Sequence, residues 1–362
     1  MSEGLASLLD GFLARGEEPG GAVCVMRNGE TTDEHHVGTR DGAAPWTTDT
    51  LVMTYSVAKP FAALTVLAAV AEGHLDLDGA VADWWPAYGV HGKGSTSVRQ
   101  VLSHQAGIPF FPAAATEVAF DDAQALTALL AESVPDHEPG TAVAEHALTY
   151  GHLCDALVAA ATGESMAERF ARITDAHGWD LHLRVRPADL PRVADVTVVD
   201  PEWPARYLDD PNWGPALGRP HGLLDPDVLN SERFRTTSFP AIALHASARG
   251  LARFYDDLTD VDGAVAALLG ADLYRDYVGA AATGFDRVIG REVTWTLGFQ
   301  LDAGETGWSE IGMGGAGGCS AWASYANGYA AAYVTRGLGS HDRGEAIWEL
   351  LEGRGADGTL GS

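Results

Sequence analysis

Two Asn-Gly dipeptides sit at opposite ends of this 362-residue chain, Asn28-Gly29 and Asn327-Gly328, each between runs of strand-forming residues. Asn-Gly favours the tight turn of a β-hairpin, because both residues tolerate the left-handed backbone such a turn requires. Gly21 to Arg27 and a return segment through His36-Val37-Gly38 flank the first turn; Ser320 to Ala326 and Tyr329 to Thr335 flank the second. A further strand is predicted near Thr294 to Leu301. Between these ends, apolar residues at helical spacing predict helices over 58–73, 97–103, 121–132, 147–161 and 164–174, then an irregular stretch rich in Pro and Trp from about 180 to 230. Helices are also predicted over 3–15 and 343–352. Strands at both ends and helices between them imply an α+β architecture: one antiparallel sheet built from both chain ends, flanked by helices, with a helical insertion lobe. The expected division is 1–55 with 240–362 as the sheet-bearing lobe and 56–239 as the mostly helical lobe, with a cleft between them.

At 46% hydrophobic residues the chain can bury a sizeable core. A net charge of −27 and a pI near 4.6 repel a phosphate backbone, and no basic patch offsets this, so a nucleic-acid partner is not expected. The excess carboxylates read as a solvated surface. Met1-Ser2-Glu3-Gly4-Leu5 lacks a basic leader and an apolar core, and no run approaches membrane-spanning length. The expected location is cytoplasmic, without a membrane partner. Cys24, Cys154 and Cys319 are odd in number and far apart, which favours free, buried thiols over a zinc site or disulfides.

Only two lysines occur, Lys59 and Lys93, and the first lies three residues after a serine in Ser56-Val57-Ala58-Lys59. A site indifferent to the kind of cation would usually be filled here by one of the 21 arginines. Position 59 reads as a place where the proton must be able to leave, which an ammonium permits once desolvated and a guanidinium does not. Residues three apart share a helix face, so Lys59 can take the proton of the Ser56 hydroxyl. Pro60 is tolerated in a first helical turn and not in a helix interior, so the helix should start within a few residues of Ser56. The serine N–H and the positive end of the helix dipole would then face a reacting carbonyl. A Ser-x-x-Lys match arises by chance about 0.1 times in such a chain, so the tetrapeptide alone is only moderately specific.

Three further segments occur in order with it: Val101-Leu102-Ser103-His104-Gln105-Ala106-Gly107-Ile108-Pro109, Glu138-Pro139-Gly140-Thr141 and Gly312-Met313-Gly314-Gly315-Ala316-Gly317-Gly318. With these four motifs the chain resembles the serine β-lactamase and penicillin-binding-protein superfamily, in the branch that holds class C β-lactamases, family VIII carboxylesterases and natural-product acyltransferases. The resemblance implies a β-lactamase/transpeptidase-like fold, an acyl-serine intermediate, a small-molecule acyl donor and acceptor as partners, and neither a metal nor an organic cofactor.

Two departures from that pattern bear on the chemistry. The family places a tyrosine beside the serine and lysine a few residues after Pro-Gly, whereas aligning Glu145-His146-Ala147 with that element puts Glu145 in its place. Next to an ammonium, Glu145 is expected to have a lowered pKa and to hold Lys59 protonated, taking over the proton-accepting role itself. An exposed loop residue is the other reading of Glu145. His146, after a slip of one residue, and Tyr150 remain alternatives for the slot. The second departure is Met313-Gly314-Gly315, which stands where the family carries Lys-Thr-Gly or His-x-Gly. A thioether cannot bind a carboxylate, so Met313 and Gly315 as substrate-binding residues point towards neutral substrates. By resemblance, the Ala316 N–H is the second oxyanion donor beside that of Ser56.

Trp203 and Trp213 lie in the irregular insertion and are candidates to stack on a bulky substrate. His35-His36 and His104 have no metal-like spacing and read as solvated or capping residues. Cys319 lacks an evident His or Asn partner and reads as packing, as do Trp84 and Trp85. The resulting expectation is a serine acyl-enzyme catalyst acting on a small-molecule ester or amide, as transacylase in natural-product metabolism or as esterase. The alternatives are a β-lactamase or D-amino peptidase, and a catalytically dead binding protein of the same fold.

Overall fold

The structure is a computed structural model and describes residues 2–304 and 307–353. Its main sheet has eight strands: β1 Gly20–Arg27, β2 Glu30–Gly38, β3 Ala282–Asp286, β4 Arg291–Trp295, β5 Gln300–Gly304, β6 Gly307–Gly314, β7 Ser320–Ser324 and β8 Tyr329–Thr335. Their order is β2-β1-β8-β7-β6-β5-β4-β3, with every neighbouring pair antiparallel. The two ends of the chain meet where β1 pairs with β8, Val23 opposite Tyr333.

The two Asn-Gly turns differ. Asn28 and Gly29 both adopt positive φ, 51° and 83°, and join Arg27 to Glu30 in a two-residue hairpin. At the other end only Gly328 is left-handed (φ 61°), Ser324 pairs with Tyr329, and the connection is four residues long. The predicted strand 294–301 is two strands. It breaks at a tight turn in which Thr296 N–H donates to Phe299 O at 2.9 Å and Gly298 takes a φ of 115°. Strand β3 was not predicted at all; a short segment containing Gly284 shows little apolar pattern.

Among the helices are α1 Ser2–Ala14, α2 Lys59–Ala71, α3 Ala123–Glu132, α4 Thr149–Thr162, α5 Met166–His177, α6 Trp203–Leu208, α7 Trp213–Leu217, α8 Ala248–Leu258 and α9 Asp342–Leu351, and the predicted helix 97–103 is present as Val98–Leu102. Their limits follow local chemistry. A Ser165/Glu168 capping box opens α5, and left-handed Gly163 and Gly178 close α4 and α5.

Alternation along β1 splits the core between the two sheet faces. Val23 and Val25 pack with Leu5 and Leu9 of α1 and Ile347 and Leu351 of α9. Ala22, Cys24 and Met26 face the larger core that holds α2 and α8. Helix α2 is apolar on all sides and buried along nearly its whole length, as a helix surrounded by other helices must be. Phe61, for example, meets Phe170 of α5 and Phe254 of α8. All three cysteines are free and buried. Among the described residues no helix is long and apolar enough to cross a membrane.

Candidate active site

A small second sheet delivers the chain to Ser56. Val52–Met53 pairs with His245–Ala246, which pairs in turn with Leu181–His182. Beyond it, both the N–H and the hydroxyl of Thr54 donate to Leu244 O, at 2.9 and 3.0 Å. Tyr55 then adopts φ 51°, a left-handed conformation that costs a non-glycine residue about 1–3 kcal/mol. Its surroundings hold it there: the phenol donates to Leu223 O at 2.9 Å and the ring sits edge-on to Trp203. Residues 55–58 form a single 3-10 turn that runs directly into α2 at Lys59, with Pro60 as the second helical residue.

Lys59 Nζ lies 2.5 Å from Ser56 Oγ and 3.0 Å from Glu145 Oε1. Ser56 keeps 8% of its surface accessible, Glu145 3% and Lys59 none. The Glu145 segment is suspended from Asp286 at the end of β3. Oδ1 of Asp286 accepts the N–H groups of Glu145, Val288 and Ile289 at 3.1, 2.9 and 3.0 Å, and Oδ2 accepts Trp295 Nε1 at 3.0 Å.

Glu145 is therefore not an exposed loop residue, and its electrostatics differ from the sequence-based expectation. Burial pushes the Glu145 carboxyl up, and nearby Asp286 adds to this; the Lys59 ammonium offsets only part. Burial likewise pushes Lys59 down, against the pull of Glu145. Glu145 thus shifts in the direction opposite to that expected, and Lys59 is shifted down rather than held up, because stripping water from both charges outweighs their mutual attraction. Burial thus brings the uncharged amine and acid closer in energy to the ion pair than they would be in water.

Neither alternative to Glu145 reaches Lys59. His146 uses both ring nitrogens, Nδ1 donating to Ala144 O at 2.8 Å and Nε2 accepting from Ile108 N–H at 3.2 Å, and burial pushes its pKa down to about 3. The Tyr150 phenol donates to Leu102 O at 3.1 Å, and its ring stacks on His104. His104 itself is fully buried rather than solvated, and its Nδ1 accepts the His146 N–H.

The glycine run after β6 packs against the residues that precede Ser56. A Cβ on Gly315 would lie 2.0 Å from Thr54 O, and one on Gly317 would lie 3.2 Å from the Tyr55 ring, so only glycines allow this approach. Gly315 is thus a packing residue and does not line the cavity, contrary to its expected substrate-binding role. Ala316, between the two glycines, does line it. Among the described residues, neither the Ser56 nor the Ala316 N–H is taken up by a backbone acceptor outside its own turn.

Ser56, Glu145 and Ala316 line one cavity of about 370 Å³, together with Met313, Trp213 and Tyr207. An adjoining groove of about 300 Å³ shares Met313, Gly314 and Gln300 with it. Trp213 is where a pocket wall was expected. Trp203 is not: it is 1% exposed and donates from Nε1 to Ala316 O at 2.7 Å. Several contributors were not singled out in the sequence, Tyr207 and Arg291 among them. Tyr207, whose phenol donates to Ala316 O at 3.1 Å, lies four residues after Trp203, a spacing that was available as a signal. Arg291 of β4 also lines the cavity and donates to Gln300 at 3.1 Å; nothing local marks it.

A family model described as Beta-lactamase matches residues 5–354. The chain belongs to the beta-lactamase family. Within it, the chain is 35% identical over 184 residues to the esterase/beta-lactamase LipL of Mycobacterium tuberculosis, a match covering 49% of this chain and 42% of that protein. The chain therefore spans less than half the length of that curated relative. Among solved structures, a family VIII carboxylesterase is similar with a TM-score of 0.80 and 26% identity, covering 94% of this chain and 93% of that one. A penicillin-binding-protein homologue from Caulobacter crescentus has a TM-score of 0.77 and 27% identity, covering 92% and 91%. The assignment is to a beta-lactamase-fold serine hydrolase family with esterase relatives.

Other residues singled out in the sequence lie elsewhere in this beta-lactamase fold. Cys319 is buried and its thiol is pushed up to about 12, which removes the thiolate a nucleophile requires. Lys93, the second lysine, is buried and donates to Ala131 O and Ser133 O at the end of α3. His35 faces Asp10 at 3.4 Å, and Trp84 and Trp85 pack against the main core.

Proposed function

We propose that this chain is an acyl-transferring serine enzyme whose nucleophile is Ser56 and whose donor is a small-molecule ester or amide. The observation that carries this is the 2.5 Å approach of Lys59 Nζ to Ser56 Oγ at the wall of a cavity that Ala316 also lines. The serine oxygen attacks the carbonyl carbon while its proton passes to the uncharged Lys59 amine, with Glu145 Oε1 next in line. The developing oxyanion is held by the Ser56 and Ala316 N–H groups. Collapse of the adduct expels the leaving alkoxide or amine, which takes back the proton through Lys59. In the second half, an acceptor loses its proton to the same relay, attacks the acyl carbon, and Ser56 regains its hydrogen.

The esterase relatives support water as an acceptor. The groove that shares Met313, Gly314 and Gln300 with the cavity supports a larger alcohol or amine, and with it transacylation in natural-product metabolism. Met313 in place of a cationic residue on β6 supports neutral donors. Arg291 favours a second reading, a β-lactamase or D-amino peptidase that binds an acidic substrate from β4, although its guanidinium is engaged by Gln300.

Intact-mass spectrometry after a fluorophosphonate or an activated ester tests the proposal. The expected result is one adduct on Ser56, absent in Ser56→Ala. No adduct at any pH would overturn it in favour of a binding protein without catalysis. Nitrocefin turnover comparable to ester turnover would favour the second reading.

A further inference from the structure

The oxyanion donor at Ala316 belongs to a turn whose two peptide planes are fixed by different parts of the chain. The plane that contains the Ala316 N–H is held on its other edge, where Gly315 O accepts Gly318 N–H at 2.8 Å. In a trans peptide the N–H points opposite to that carbonyl, away from the turn's own hydrogen bond. The next plane is held from outside the turn. Ala316 O accepts Trp203 Nε1 at 2.7 Å and the Tyr207 phenol at 3.1 Å, two donors one helical turn apart on α6.

Helix α6 is itself anchored. The chain just before it pairs in parallel with Gly337–Leu338, with Val199 N–H donating to Leu338 O at 3.0 Å. Trp203 N–H donates to Asp200 O at 2.9 Å as the helix begins. An aromatic series continues from it, Tyr55 edge-on to Trp203, Trp203 to Tyr207 and Tyr207 to Trp213. The residue preceding the nucleophile and the turn carrying the second oxyanion donor thus rest on the same indole.

Building on the acyl-serine reading above, we propose that Trp203 and Tyr207 are positioning residues that orient the Ala316 N–H for the oxyanion by clamping the Ala316 carbonyl. An indole and a phenol are suited to this because each presents a directed donor from a stiff ring with few rotatable bonds. Substrate binding does not need the clamp, since the ground-state carbonyl makes weaker demands on that N–H than the oxyanion does. Loosening it therefore weakens transition-state binding selectively.

The test compares Trp203→Phe, Tyr207→Phe and the double variant with the unaltered protein. A p-nitrophenyl ester gives kcat and KM. A trifluoromethyl ketone, whose Ser56 hemiketal carries an oxyanion, gives Ki. The expected result is a loss in kcat of about tenfold for Tyr207→Phe and up to about 100-fold for the double variant, smaller than complete removal of an oxyanion donor. KM should stay within about twofold, and the ketone Ki should rise in proportion to the loss in kcat/KM. Rates equal to those of the unaltered protein would overturn the proposal. So would a rise in KM with kcat unchanged, which would make α6 only a pocket wall. If Trp203→Phe fails to fold, Tyr207→Phe, which removes a single oxygen, decides the matter alone. Failure of the unaltered protein to form the Ser56 adduct would remove the acyl-serine reading itself, a result distinct from normal acylation in all four proteins.

Discussion

The Glu145 N–H donates to Asp286 Oδ1 at 3.1 Å, so the carboxyl that faces Lys59 is carried by the edge strand of the sheet. This contact links the proposed proton relay to β3, the strand farthest from β2. Asp286→Ala would leave three backbone N–H groups and the Trp295 indole without their acceptor. The expected cost is at least about 3 kcal/mol, since each buried donor left alone loses about 1–3 kcal/mol. Urea unfolding would measure it, and acylation of Ser56 should slow in the same variant because Glu145 loses its support.

Burial lowers Lys59 from its ordinary value of 10.5 and raises Glu145 from 4.5, which has consequences for pH. The Lys59 amine accepts a proton only when uncharged, so acylation should fall as pH drops through an apparent pKa below 10.5. Glu145→Gln removes the charge that pulls Lys59 upward, so this acid limb should move to lower pH while the plateau falls by about 100-fold, in the range for loss of a positioned proton acceptor. Lys59→Arg should lose acylation at every pH, since a guanidinium does not give up its proton. Profiles of kcat/KM against pH check all three.

Stability carries the opposite sign for Glu145. Its folded pKa exceeds the unfolded value of 4.5, so its stabilising contribution is complete below about pH 4.5 and is lost as pH rises through the folded pKa. Relative to the unaltered protein, Glu145→Gln should therefore gain stability with rising pH above that point. Urea midpoints at successive pH values would show it, and a flat difference would contradict it.

Tyr150→Phe should leave acylation close to normal and cost about 1 kcal/mol of stability, since among the described residues the phenol donates to Leu102 O and not to Lys59 or Ser56. Abolished acylation here, with Glu145→Gln unaffected, would reassign the proton relay to Tyr150.

Gly315→Ala should reduce acylation by about 100-fold or more, the scale for losing an oxyanion donor. Its Cβ would fall 2.0 Å from Thr54 O and force the glycine turn away from the residues before Ser56. Burst kinetics with an activated ester would show the loss, and thermal melting would show a folded protein.

What could be read in the sequence was local in character. Ser56 and Lys59 are three residues apart, so helical geometry alone brings them together, and Asn28-Gly29 sets its own hairpin. Glu145 was placed by resemblance to a motif. Asp286 and Arg291 could not be found, because they reach the site from β3 and β4 through sheet pairing that no short segment encodes. Trp203 was assigned to the wrong surface because a tryptophan in a loop looks the same whether its indole faces a ligand or a carbonyl. The pKa shifts departed from expectation for a related reason: the carboxylate and ammonium are visible as neighbours, but the loss of water around them is a property of the whole fold. The break at Gly298 left a trace that alternation obscured, a glycine pressed against α2, where a Cβ would come within 2.9 Å of Ala63.

Strand β1 takes its inner neighbour from residues 329–335, so during synthesis the hairpin of residues 20–38 emerges long before the segment that covers its open edge. Until then the edge at Val23 and Val25 is a ready template for foreign strands. Pairings so distant along the chain also form late and slowly. Ribosome-bound or truncated chains should therefore aggregate through this hairpin.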